Sequence, residues 1–192
     1  MNISRSSQEP EETLITPCSD ATLRGLVLIG IMSDTHDNLQ RTKEAVARLN
    51  RENVGLVLHA GDVISPFVIG VLKDLQSEMV GVFGNNDGDR ELLSKKCAEH
   101  GHLSFRGTFM RFSAGDLSVG LIHGSDLELL DTLLTSGPFD LLVYGHTHQA
   151  GISRHGTMLA VNPGEVCGYL SGKSTVATVD TKSRHATIIP LP

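Results

Sequence analysis

Five apolar runs in this chain break off in the same way, and that pattern limits what it can fold into. Leu26–Met32 runs into Ser33-Asp34-Thr35-His36, Gly55–His59 into Ala60-Gly61-Asp62, and Met79–Phe83 into Gly84-Asn85-Asn86-Asp87. Further on, Leu117–Ile122 meets His123-Gly124, and Leu141–Tyr144 meets Gly145-His146-Thr147-His148. Short unbroken apolar runs bounded by turn residues are the pattern of strands buried on both faces. In open α/β sheets, ligands bind beyond the carboxyl ends of such strands. Each run therefore delivers a carboxylate, imidazole or carboxamide to the place where a ligand would be held.

Between the runs the period changes. In Leu39–Arg51 the residues Leu39, Thr42, Val46 and Leu49 recur at spacings of three, four and three, which predicts an amphipathic helix. Pro66–Leu75 is a second helix, with Pro66 near its start where a missing N–H costs little. Asp89–His100 is a third, ended by Gly101. This βαβαβα order implies right-handed crossovers and a mostly parallel sheet. After Gly101, His102–Phe112 and Leu117–His123 read as two strands around Ala114-Gly115-Asp116, and Asp126–Leu134 as a short helix. Leu141–Tyr144 is another buried strand, and Gly151–His155, Thr157–Val161, Ser174–Asp180 and His185–Pro190 read as antiparallel strands. One doubly wound sheet cannot use so many strands. Two mixed sheets packed face to face, with helices outside, are expected.

A length of 192 residues suits one domain with an ordinary core. Residues 1–24, rich in Ser, Glu, Thr and Pro, read as a mobile extension without a catalytic role, and residues 25–192 as one domain. The net charge of -6 and the 4% aromatic content argue against a strong nucleic-acid surface or an anionic-membrane partner. No apolar run reaches the ~18 residues a membrane span needs. Cys18, Cys97 and Cys167 lack the spacing of a zinc ribbon or disulfide framework, so reduced thiols and a cytoplasmic location are expected.

Asp34 and His36, like His146 and His148, are two residues apart, which in extended chain puts both side chains on one side. Together with Asp62, Asn85 and His123 they make a set of oxygen and imidazole donors without a thiolate. Such a set suits Mn²⁺, Fe²⁺, Zn²⁺ or Ni²⁺. Seven candidate donors exceed what one ion takes from protein, and a shared carboxylate would give a dinuclear centre. Each element alone is weak: a Gly-Asp pair is usually a turn, and a single His such as His123 is usually just hydrogen-bonded. The five together, each after an apolar run, are not explained that way.

Asp34-x-His36, Gly61-Asp62, Gly84-Asn85-x-Asp87, His123 and Gly145-His146-x-His148 resemble the calcineurin-like metallophosphoesterase superfamily in order and spacing. The short length is similar to its small single-domain bacterial and archaeal phosphodiesterase branch. The resemblance spans about Gly25 to Pro190 and implies an α/β/β/α sandwich. It implies two divalent cations per chain, Mn²⁺ first and Ni²⁺, Fe²⁺ or Zn²⁺ as alternatives. Asp34, His36, Asp62 and His148 would hold one, and Asp62 would bridge to a second held by Asn85, His123 and His146. It further implies in-line attack of a metal-bridging hydroxide on a small phosphate ester, a diester in this branch. Asp62, Asn85 and Asp87 form the expected catalytic group, with Asp87 orienting its neighbours rather than binding metal. Alternatives are a non-catalytic interaction scaffold, as in one subunit of the retromer coat, or a nucleotide pyrophosphatase with the same metals. A homo-oligomer is left open.

Two positions depart from the family pattern. Asn86 stands where many relatives have a histidine proposed to protonate the leaving group, and an amide cannot do that. Glu165 replaces Ser in an Asn-Pro-Gly-Ser-like loop, Asn162-Pro163-Gly164-Glu165. Asn162 reads as a plain turn residue rather than a support for a metal ligand. Asp37 and Asn38 read as helix caps, with Asn38 alternatively facing substrate, and His59 as a core histidine. His100, His102, His155 and His185 read as surface or packing residues, and Lys95-Lys96 as a solvated helix face.

Overall fold

The computed structural model describes residues 28–192; the expected N-terminal extension and Cys18 lie outside the described residues. The first helix forms where the periodicity places it. α1 (Leu39–Arg51) turns Ala45, Val46 and Leu49 inward and is capped by Asn38, whose side chain accepts from the Arg41 N–H. It joins β1 (Leu28–Met32) to β2 (Leu56–His59), which pair in parallel. A 3₁₀ turn (Pro66–Val68) and the single-turn α2 (Ile69–Leu72) lead to β3 (Glu78–Gly81), and α3 (Arg90–Ala98) leads to β4 (Leu103–Phe105). The expected ten-residue helix over Pro66–Leu75 is thus much shorter. Gly70 sits in its middle, and glycine is a poor helix former.

The second half builds the other sheet from β5 (Phe109–Ala114), β6 (Leu117–Ile122), α4 (Leu127–Ser136), β7 (Leu141–Val143), β8 (Gly151–His155) and β9 (Met158–Asn162). Finally β10 (Thr175–Asp180) and β11 (His185–Pro190) return to the first sheet. The strand orders are β11-β10-β1-β2-β3-β4 and β5-β6-β7-β9-β8. β1 to β4 run parallel, with β10 antiparallel to β1 and β11 antiparallel to β10 on one side. In the second sheet β6, β7 and β9 are parallel, and β5 and β8 are antiparallel edges.

Three apolar clusters give four layers. Ile31, Leu58 and Val80 of the first sheet meet Leu121, Val143 and Val161 of the second in the central cluster. α1, α2 and α3 cover the outer face of the first sheet, and α4 covers the second through Leu130. One expected element is corrected. His102–Phe112 is not one strand: β4 and β5 belong to different sheets, with Gly107 at φ +54° between them. The inward residues change parity there, from Leu103 and Phe105 to Met110, Phe112 and Ala114. A period-2 strand cannot keep one buried face across such a shift.

The interlayer cluster carries the fold, so its centre should be costlier to hollow than its edge. Leu58 is fully buried and Ile188 only partly so. Leu58→Ala should lose about 2–5 kcal/mol of stability, and Ile188→Ala clearly less. Urea titration of both variants measures the difference.

Candidate metal centre

The ends of β1, β2 and β3 deliver Asp34, His36, Asp62, Asn85 and Asp87 from the first sheet. Those of β6 and β7 deliver His123, His146 and His148 from the second. Backbone hydrogen bonds tie the loops together: Asp34 N–H donates to Gly61 O (3.0 Å), His36 N–H to Asp62 O (3.1 Å), and Gly145 N–H to His123 O (2.9 Å). Asp34, His36, Asp62, His146 and His148 all have left-handed backbone, with φ between +42° and +65°. This region costs non-glycine residues about 1 kcal/mol or more each, and such strain gathers at functional sites. Two glycines are dictated by close approach. A Cβ on Gly84 would lie 2.0 Å from Asp62 Oδ1, and one on Gly145 would lie 2.0 Å from Ser33 Oγ.

The side chains converge as two overlapping groups. Asp34 Oδ1 lies 3.3 Å from His148 Nε2 and 3.6 Å from His36 Nε2, which is itself 3.6 Å from Asp62 Oδ2. On the other side, His123 Nε2 lies 3.3 Å from Asp62 Oδ2 and 3.0 Å from Asn85 Oδ1. The His146 ring is 5.1 Å from that of His123. Asp62 therefore belongs to both groups. All seven sequence-predicted donors lie around this one place.

The tautomers explain what such a place can hold. His123 Nδ1 faces the Ala60 carbonyl at 2.8 Å, and a carbonyl only accepts, so Nδ1 carries the proton. His148 Nδ1 likewise donates to Glu165 at 2.7 Å. In each neutral ring Nε2 is then a lone pair, aimed at carboxylate oxygens that are acceptors too. Asp34 Oδ1 and His36 Nε2 are buried with no hydrogen-bond partner. Acceptors packed against acceptors repel unless a positive charge lies between them. A proton or a metal cation can supply it, and the titration behaviour shows the demand. His36 is raised by its contact with Asp34, against the opposing effect of burial. Burial lowers His123, but Asp62 outweighs it and the net shift is upward. Burial alone would raise Asp62, yet His123 and Asn86 hold its carboxyl well below the usual range. Burial and the nearby His123 lower His146.

Behind the donors stand groups that fix them. Asp87 accepts from the N–H groups of Asp62 (3.1 Å), Val63 (2.7 Å), Ile64 (2.8 Å) and Gly84 (2.7 Å), so it shapes the Asp62 loop. Asn86 donates to Asp62 twice, from its backbone N–H at 2.9 Å and its amide at 2.7 Å. Glu165 is fully buried and accepts from His148, Cys167, Tyr169, Leu170 and Ser171. Burial would raise it, but those donors, led by Cys167 and His148, bring it down to about 2. Burial pushes the Cys167 thiol up to about 12, so Cys167 stays a protonated donor to Glu165 beside His36 and His148.

Three sequence expectations change here. Asn162 is not a plain turn: buried, its amide donates to Gly145 O (2.9 Å) and Thr147 Oγ1 (3.0 Å), bracing the Gly-His-Thr-His loop. Glu165 and Cys167 had no assigned role, though a carboxylate in an apolar stretch four residues before Tyr169 was a signal for buried pairing. Asp37 does not cap α1 but accepts from Ser65. Asn38 does cap it, and its amide donates to the Cys167 carbonyl instead of facing substrate. His59 is a core histidine as expected. It accepts from the Gly61 N–H and is pushed down to about 4 by burial.

Residues 27–184 match the calcineurin-like phosphoesterase superfamily domain. The chain belongs to that superfamily. Phosphodiesterase MJ0936 of Methanocaldococcus jannaschii is 37% identical over 157 residues, which covers 82% of this chain and 95% of the relative. A probable metallophosphoesterase of Methanothermobacter thermautotrophicus is 35% identical, covering 72% of this chain and 76% of its own length. A solved archaeal phosphodiesterase superposes with a TM-score of 0.81 at 36% identity, over 85% of this chain and 99% of the other. A Zn²⁺-bound Vps29 from Entamoeba histolytica has a TM-score of 0.62 at 20% identity over 85% of this chain and 91% of its own, a likeness of fold alone. The calcineurin-like phosphoesterases are metal-dependent, and the donor types, the orphaned acceptors and the fixed imidazole tautomers of this chain fit a metal.

The Glu165–His148 pair has the form of a carboxylate–histidine support, which would keep the ring oriented and basic toward a metal. Glu165→Gln keeps the shape but weakens the charge-assisted contacts from five residues. Mn²⁺ affinity, read by calorimetry, should fall about 10–100-fold, with a smaller change in melting temperature than Leu58→Ala causes.

Proposed function

We propose that the protein is a phosphodiesterase that works with two divalent cations per chain, Mn²⁺ first among them and Ni²⁺, Fe²⁺ or Zn²⁺ in its place. One observation carries this reading: imidazole nitrogens and carboxylate oxygens converge on both sides of Asp62, with Nε2 of His123 and His148 left as lone pairs by their Nδ1 contacts. Asp34, His36, Asp62 and His148 would hold one cation, and Asp62, Asn85, His123 and His146 the other. When bound, the pair supplies Lewis acidity, which makes water nucleophilic near neutral pH and neutralises phosphate oxygens. The identity to an archaeal phosphodiesterase supports a diester as substrate. A complete donor set supports an enzyme over a binding scaffold.

The chain's own groups do the positioning. Asp62 orients both halves of the site, and the two Asn86 hydrogen bonds favour its ionised form. Asp87 acts through Asp62, by holding its loop. Asn86 supplies no proton, so the leaving oxygen would depart as an oxyanion stabilised by a bound cation or take a proton from water. The acidic net charge suits a small substrate over a nucleic-acid polymer. No helix among the described residues is long and apolar enough to cross a membrane. A cytoplasmic setting, with Cys97 and Cys167 reduced, belongs to the same reading.

Mn²⁺ titration of the protein should saturate at two equivalents, with hydrolysis of bis(4-nitrophenyl) phosphate rising in step. Asp62→Asn removes charge felt at both positions and should cut activity by ~10³-fold or more, further than His36→Ala. Saturation at one equivalent, or an Asp62→Asn loss no worse than that of His36→Ala, would overturn the shared carboxylate.

A second expectation concerns Asn86. Without an acid there, rates should fall steeply as the leaving-group pKa rises across aryl and alkyl diesters. Asn86→His offers an imidazole of intrinsic pKa ~6.5, lowered by nearby cations, at the expense of one hydrogen bond to Asp62. Poor leaving groups should gain relative to good ones. A flat dependence in the natural protein would mean that another residue already donates the proton.

A further inference from the structure

Beside the donors lies a cavity that the centre itself does not use. It has a volume of about 320 Å³ and opens on Asn85 and His123. Its walls are Phe83, Phe109, Ile122 and Leu129, drawn from the ends of β3, β5 and β6 and from α4. Phe109 and Leu129 are 39% and 41% exposed and so open to a ligand, while Phe83 and Ile122 are buried. Arg90 closes one side. Its Nη2 donates to the Gly84 carbonyl at 2.8 Å and its guanidinium lies 5.3 Å from the Phe83 ring centre. Both contacts fix the cation at the cavity wall, where its flat face can stack on a planar group. Asp126, at the rim, already accepts from the Leu129 N–H.

The chemistry of the lining selects among ester arms. A sugar would leave Phe83, Phe109, Ile122 and Leu129 unmatched, and a wholly apolar arm would leave Arg90, Thr108 and Ser125 unmatched, so the mixed lining suits a flat ring with a polar edge. A flat ring buries well between Phe and Leu side chains and keeps its polar edge toward Arg90. The volume is at the low end for ligand pockets of roughly 300–1,000 Å³, so it takes one ring system and not a polymer. We propose that this cavity receives a planar aromatic arm of the phosphate ester, with Phe109 and Leu129 as the residues that set the preference. The proposal rests on the phosphodiesterase reading of the adjoining centre.

Phosphonates test it without turnover. With Mn²⁺-loaded protein, phenylphosphonate should bind at least about tenfold tighter than methylphosphonate by calorimetry, the scale of discrimination an apolar pocket offers. Phe109→Ser and Leu129→Ser should each bring the phenyl-to-methyl ratio toward one; Leu129 lies outside the core clusters, so its variant should hold the melting temperature, whereas Phe109→Ser also loses an edge contact to Phe139 and melts somewhat lower. An adenine-bearing acyclic nucleoside phosphonate separates two sources of the same chemistry: tighter binding than phenylphosphonate assigns the arm to a nucleobase, weaker binding to a simple aryl group. Equal affinity for the two simple phosphonates, or a ratio that neither variant moves, overturns the pocket. Hydrolysis of bis(4-nitrophenyl) phosphate in the same preparation then keeps the phosphodiesterase reading standing. Absence of both hydrolysis and phosphonate binding overturns the two together.

Discussion

The crowding of imidazole nitrogens against the buried acceptor Asp62 Oδ2 is the constraint on which the rest of the site depends. His36 Nε2 at 3.6 Å and His123 Nε2 at 3.3 Å approach that oxygen from two directions. Left to itself, such a cluster would spread apart or take up protons. It is held closed by backbone groups that cannot retreat, because Asp87 gathers four N–H donors from the Asp62 loop and the strand end beside it. Gly84 lets that loop come within contact of Asp62 where any Cβ would collide. The left-handed backbone of the donor residues belongs to the same account: local strain is maintained because surrounding hydrogen bonds and packing over-determine it.

The donors come from two sheets, and this ties the centre to the core. Asp34, His36, Asp62 and Asn85 extend from β1, β2 and β3, while His123, His146 and His148 extend from β6 and β7. The separation of the two groups is therefore set by side chains packed between the layers, such as Ile31 and Leu58 against Leu121 and Val143. Close-packed interiors transmit small shifts rather than absorbing them. A site built across the seam gains rigidity from both layers, and loops on either rim can vary without moving a donor.

Much of this was legible in the sequence. The apolar runs gave the buried strands, the α1 periodicity gave its bounds, and the residues ending each run gave the donors that the fold brings together. What escaped reading was long-range. The break of His102–Phe112 into β4 and β5 shows as a parity change around Gly107, a signal present in the sequence but overridden by the strong local strand pattern. The short α2 follows from weak propensity at Gly70. Cys167 and Asn162 could not be placed because partners lie elsewhere in the chain: Cys167 O receives the Asn38 amide across 129 residues and Asn162 reaches Gly145 across 17, while Glu165 joins His148 to the loop that follows it. A buried carboxylate that satisfies a distant imidazole has no local pattern, and only its expected need for partners marks it.

The departures from the family pattern at Asn86 and Glu165 have different physical consequences. Glu165 adds a fixed negative charge behind His148, which makes that ring a better donor to a cation and strengthens the ground arrangement of the site. Asn86 takes away an acid that would act only as the ester bond breaks, and its amide instead steadies Asp62. Both changes favour holding over proton transfer. A site of this kind must recover rate from substrate binding, since interactions with remote parts of a substrate can be used to orient the reacting group. The cavity at Phe109 and Leu129 lies where such an arm would reach, directly beside Asn85 and His123. On this reading the loss of the acid and the apolar pocket are linked: a ring held there would align the phosphate on the donors, and an aryl oxygen, being a weak base, would leave without needing a proton.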